Sequence, residues 1–99
     1  MAEVRRWTPQ AADDLDAITK FIATDSPQYA RLVAMDLLMA VERLEDFPNS
    51  GRVVPELKDP AIREIIFGNY RIVYRVKGDL VEVLTVYHGA RLLDPSRLP

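Results

Sequence analysis

The hydrophobic period of this chain changes once, from about 3.6 residues to two, and that change limits what it can fold into. Before the change lie two helical stripes. Thr8 can cap a helix and Pro9 suits its first turn, where a missing N–H costs nothing. Ala11, Leu15, Ile18 and Ile22 then share one face. Asp25-Ser26-Pro27 repeats the punctuation and opens a second stripe of Ala30, Val33, Ala34, Leu37, Leu38, Val41 and Leu44. The short link makes the pair an antiparallel helical hairpin. Both stripes stop before Phe47-Pro48-Asn49-Ser50-Gly51.

After that stop, Gly51 to Ala61 shows no period, with Pro55 and Pro60 flanking Glu56-Leu57-Lys58-Asp59. A loop of this length in a small domain is often functional. From Arg63 the alternation is that of strands: Arg63–Phe67, Tyr70–Lys77 and Leu80–His88, with Gly68-Asn69 and Gly78-Asp79 between them. Glycine reaches the positive φ that two-residue hairpins require, so three consecutive antiparallel strands are expected. Glu3–Trp7 reads as a short leading strand. The expected fold is α+β, in the order β-α-α-β-β-β, with a helical hairpin packed on an antiparallel sheet. At 99 residues it is read as one domain, 1–99.

Several function classes drop out. The chain has no cysteine and a single histidine, which removes disulfides, thiol nucleophiles and the common metal-ligand sets. No metal site and no cofactor are expected, and no glycine-rich phosphate loop or nucleophile elbow is present. No apolar run nears the roughly 20 residues of a membrane span, and no signal-peptide pattern follows Arg5-Arg6, so a cytoplasmic protein is expected. Asp13, Asp14 and Asp16 read as dipole complement and solubility near the start of the first helix, and Met35 and Met39, off the main stripe, as packing filler in preference to a face for a partner.

Charge is unevenly spread. Residues 1–50 hold five Lys/Arg against nine Asp/Glu, whereas residues 51–99 hold eight against six. Ten of the 13 basic residues are arginine, whose planar fork suits phosphate or carboxylate. Alternation puts Tyr70, Ile72, Tyr74 and Val76 on one face of the central strand and Arg71, Val73, Arg75 and Lys77 on the other. If the hairpin covers the apolar face, the arginine face meets solvent or a partner. Arg63, Arg71, Arg75 and Arg91 are then a candidate anion-binding patch, with His88 beside Gly89 as a candidate acid or base. The alternative is cross-strand pairing of Arg71 and Arg75 with Glu64 and Glu82.

The order of elements and several segments resemble the RelE/ParE superfamily of bacterial toxins, the toxic halves of type II toxin–antitoxin pairs. The segments are Trp7-Thr8-Pro9 with Ala12-Asp13-Asp14-Leu15, Phe47-Pro48-Asn49-Ser50-Gly51-Arg52, Arg63 through Tyr74, and His88-Gly89-Ala90-Arg91. The resemblance implies a cognate antitoxin and a hetero-oligomer with it. It also implies one of two targets. One branch of the superfamily cuts mRNA on the ribosome; the other poisons DNA gyrase. In the ribonuclease reading, Arg71 would hold the scissile phosphate, with His88 and Arg91 as further catalytic residues. Against it, the lysine pair common before the Tyr-Arg strand is replaced around Ile62–Glu64, leaving Arg63, and no tyrosine occurs in Leu92–Pro99. Arginine is a poor base at neutral pH. The resemblance therefore favours gyrase, with Arg63, Arg71, Arg75 and Arg91 as target- or antitoxin-binding groups. The alternatives are a ribosome-dependent mRNA endoribonuclease and a degenerate toxin acting only in an antitoxin repressor complex.

Overall fold

Thr8 and Ser26 start the two helices as their types suggest. In the computed structural model, which describes residues 3–89, the Thr8 hydroxyl accepts from the Ala11 amide at 3.1 Å and the Ser26 hydroxyl from the Tyr29 amide at 3.1 Å. Helix α1 runs Pro9–Ala23 and α2 runs Pro27–Glu42, each with its proline in the first turn. A 3-10 turn, Arg43–Glu45, extends α2 and buries Leu44 before Phe47-Pro48 ends the run. Thr8 also donates its hydroxyl to the Leu84 carbonyl at 2.9 Å, so one side chain both caps α1 and ties it to the sheet.

The sheet has five strands in the order β1-β5-β4-β3-β2, formed by Glu3–Trp7, Arg52–Val53, Ile62–Phe67, Tyr70–Lys77 and Leu80–His88, numbered β1 to β5 in chain order. β1 lies parallel to β5; the other pairings are antiparallel. The helical hairpin is thus the crossover that lets first and last strands meet. The β3–β4 and β4–β5 turns are the expected two-residue links. Gly68 and Gly78 have φ of 57° and 60°, and neither Asn69 nor Asp79 has positive φ, as in type II′ turns. Two-residue β2 was not expected: Gly51–Ala61 has no period because only Arg52 and Val53 pair, opposite Glu64 and Arg63.

The main core fills the helix side of the sheet. Ala11, Val33, Leu37, Ala40 and Val41 pack on Ile72, Val83 and Val86, with Leu15, Ile18 and Ile22 at the margin. Tyr74, Leu44 and Val81 form a neighbouring cluster. The opposite face departs from expectation. It is not open to solvent, because Val54 and Leu57 of the loop fold back over it. They close a second small core with Ile62, Val73, Leu84 and Tyr87. Leu84 reaches that core at a bulge, where β5 carries one residue more than β4 between the Val73–Thr85 and Tyr74–Val83 pairs.

Four side chains refine the helix reading. Asp14 is buried, accepting from Gln10 Nε2 at 2.7 Å, the Val86 amide at 3.2 Å and the Thr85 hydroxyl. It joins α1 to β5 rather than complementing a dipole. Met35 and Met39 are exposed, as is Leu38. The wide stripe therefore ends at Leu37 and Val41, and the far side of α2 carries an apolar row of its own.

Candidate functional site

Glu64 organises the loop-covered face. It stands on β3 with its side chain wholly buried (0% exposed), flanked by two guanidinium groups. Arg52, directly opposite on β2, donates to Oε2 through Nε at 2.9 Å and Nη2 at 2.8 Å. Arg71, diagonal on β4, donates through Nε at 2.9 and 3.1 Å to the two carboxylate oxygens and also through Nη2. The other edge of the Arg71 fork meets Glu56 from the loop, at 3.4 Å from Nη1 and 3.2 Å from Nη2. Beneath it lies the Tyr87 ring, 5.0 Å from the guanidinium carbon to the ring centre. Arg71 is itself buried. Burial pulls its pKa down, but the hydrogen bonds to Glu64 and Glu56 outweigh that and hold it above the ordinary arginine value. Arg71 is thus a fully charged group that already has two anions.

The four arginines and the histidine offered as a candidate patch, against the alternative of cross-strand pairing, do not all lie together. Arg71 and His88 do line one cleft of about 340 Å³, together with Arg52, Ile66, Gly68, Asn69 and Gly89. His88 packs edge-on against Tyr70, ring centres 5.8 Å apart. Arg75 lies at the far end of β4, paired with Glu82 at 3.1 Å, and Glu82 also meets Arg6 at 3.4 Å. Arg63 is opposite Tyr74, so alternation sets it on the other side of β3 from Glu64. Its Nη1 donates to the Gly51 carbonyl at 2.9 Å, which makes it a brace of the Pro48–Gly51 turn. Arg91 lies outside the described residues. The cross-strand pairings Arg71–Glu64 and Arg75–Glu82 are both present.

Sequence reasoning missed Arg52, Glu56 and Tyr87. Arg52 could be paired with Glu64 only once β2 was known, and two residues carry no period. Tyr87 could have been placed opposite Arg71 by counting outward along both strands from the Gly78-Asp79 turn, but the bulge at Leu84 shifts that count by one. Its hydroxyl is buried and has no hydrogen-bond partner, and burial pushes its pKa up to about 12.

A second tyrosine holds the site's edge. Tyr74 donates its hydroxyl to the Pro48 carbonyl at 2.8 Å and accepts from the Gly51 amide at 2.9 Å. A Cβ at Gly51 would lie 2.5 Å from the Glu64 carbonyl and 2.6 Å from that hydroxyl, so only glycine lets the turn close on the sheet and deliver Arg52 to Glu64.

Residues 5–93 match the family described as ParE toxin of type II toxin–antitoxin system, parDE. This chain belongs to the ParE toxin family. Its membership in the wider RelE/ParE superfamily agrees with a curated relative, Toxin RelE2 of Caulobacter vibrioides, which is 36% identical over 87 residues, 87% of this chain and 94% of that protein. Among solved structures, the chromosomal ParDE toxin–antitoxin system from P. aeruginosa superposes with a TM-score of 0.73 at 27% identity. It covers 89% of this chain and 96% of that one. The RelBE2 toxin–antitoxin complex of Mycobacterium tuberculosis gives 0.58 at 21% identity over 89% and 99%, a likeness of fold alone. The ParE-family chain described here therefore has the RelE/ParE fold and is a toxin of the type II class.

Proposed function

We propose that this toxin acts by binding, with DNA gyrase as its target, and that a cognate antitoxin holds it inactive in the cytoplasm. The observation that carries the reading is the double engagement of Arg71. A ribonuclease of this fold would need that guanidinium for a phosphate in the transition state. Here Glu64 and Glu56 occupy it, and Glu64 is buried on a strand, where it cannot swing aside. Tyr87, the phenol nearest to it, is a poor general base, since its pKa is pushed up to about 12. Among the described residues no three carboxylate or imidazole groups converge where they could hold a metal ion.

The antitoxin is supported by the solved neighbour from P. aeruginosa, a ParDE toxin–antitoxin system. The exposed row Leu32, Met35 and Met39 on α2 offers a helix-sized apolar strip of the kind partner helices use.

The deciding experiment is pulse-labelling of DNA and protein synthesis in the first minutes after inducing the toxin alone. DNA synthesis failing first, with purified toxin blocking gyrase supercoiling at micromolar concentration, is the expected result. Protein synthesis failing first, with transcripts cut in a translating extract, overturns it.

A further inference from the structure

Helix α2 is apolar on two opposite faces. Leu37 and Val41 point into the core, whereas Met35 and Met39 stand two positions before each, about 200° round the helix. Leu32, Met35, Leu38 and Met39 keep between 44% and 58% of their surface exposed. A surface helix ordinarily sets polar residues opposite its core stripe, and an apolar row there marks a contact surface. The row is edged by Arg31 and Glu42, about three turns apart and therefore on the same side of the helix. Among the described residues, neither of these two has an ion-pair partner within the chain. On that same side a groove of about 300 Å³ runs between the helices, lined by Ala23, Ala30 and Ala34 together with Arg31.

We infer that this face is self-complementary, and that the toxin without its antitoxin packs α2 against α2 of a second copy, antiparallel about a two-fold axis. In a two-fold contact, if one residue meets a second across the axis, the second meets the first. An axis crossing the helix between Asp36 and Leu37 sets Arg31 against Glu42 of the second copy, and Glu42 against its Arg31. One register thus gives two unlike-charge pairs. The same axis sets Met35 against Leu38 and leaves Leu38 one position from Ala34, whose small side chain opens the groove to it. Charge placement selects a copy over an unrelated helix: turning α2 end for end exchanges the positive end of the row for the negative one. Asp36, beside the axis, is the one like-charge contact. The row is short, so the pair belongs with small, weak interfaces. A partner helix on this strip, the antitoxin's included, has to displace the copy first. The inference concerns the toxin alone and goes beyond its target, so its failure leaves the gyrase assignment standing.

The test is sedimentation equilibrium of the full-length toxin, free of antitoxin, from micromolar to millimolar concentration. A monomer–dimer equilibrium is expected within that range. Met35→Gln with Met39→Gln should move its midpoint upward by about tenfold or more. The same change should leave the melting temperature of the dilute monomer unaltered, because neither thioether packs in the core. Arg31→Glu and Glu42→Arg should each weaken the dimer about tenfold, since either change removes two exposed pairs and sets like charges face to face. Combined in one chain they should restore it, because the two-fold register then matches unlike charges again. A monomer throughout the range, or a dimer indifferent to the methionine pair, would overturn the inference. So would a double charge exchange that binds no tighter than the single ones.

Discussion

Replacing Glu64 by leucine should cost this small fold about 3 kcal/mol, and replacing its partner as well should restore most of that loss. The size follows from where each charge sits. Arg52 has 57% of its side chain exposed, so its pair with Glu64 is worth at most about 1 kcal/mol. Arg71 has only 10% exposed, so losing the strand-borne carboxylate leaves a buried cation, a change that costs about 3–5 kcal/mol when nothing replaces the partner. Glu56 remains and offsets part of it, which sets the expectation near the lower end. For a chain of this length that is a fall of about 15 °C in melting temperature. Arg71→Met should cost about as much, because it leaves Glu64 buried with only an exposed partner.

The double variant Glu64→Leu with Arg71→Met removes both charges and fills the space with apolar atoms, so its loss should be about 1 kcal/mol or less. Urea unfolding of the four proteins gives the coupling energy directly, about 5 kcal/mol. If the single losses simply add in the double variant, the pair is not coupled and the account of Arg71 as a structurally satisfied group fails. A Glu64→Leu loss below about 1 kcal/mol, no larger than an exposed pair gives, would refute it equally.

Two other features make sharp predictions. Tyr87 has a folded pKa of about 12 against an ordinary value of 10.0, so between those values the unfolded chain has lost a proton that the folded chain keeps. Its contribution to stability is whole below pH 10 and lost as pH rises toward 12, and Tyr87→Phe should flatten that part of the urea midpoint–pH curve. Asp14→Ala strands the Val86 amide and the Thr85 hydroxyl under α1 and should cost about 2–4 kcal/mol by urea unfolding, while the dipole-complement reading allows only about 0.5 kcal/mol.

How far the sequence carried the fold can be traced residue by residue. The caps, the two stripes, both glycine turns and the meander depend on neighbours a few positions apart, and all are legible in the chain. What was lost depends on long-range pairing. Asp14 looks like any acidic residue near a helix start until Thr85, 71 positions away, is placed beneath it. Arg71 and Arg75 look identical on alternation, yet one is buried between Glu64 and Glu56 while the other shares Glu82 with Arg6 near the sheet's far end. Charge patterning gave a patch; register broke it into a brace at Arg63, a surface triad at Arg75 and a buried cluster at Arg71.

The loop from Val54 to Ala61 decides how that cluster behaves. It carries Val54 and Leu57 into the second core and Glu56 onto Arg71, so hydrophobic burial and charge pairing close the same lid. Val54 is fully buried and Leu57 partly so, together worth roughly 2–4 kcal/mol, and the Glu56–Arg71 pair, 24% and 10% exposed, adds to that hold. The apolar pair and the ion pair therefore act together: rotating Glu56 away would leave the buried Arg71 with Glu64 alone, a cost that adds to any loosening of Val54 and Leu57.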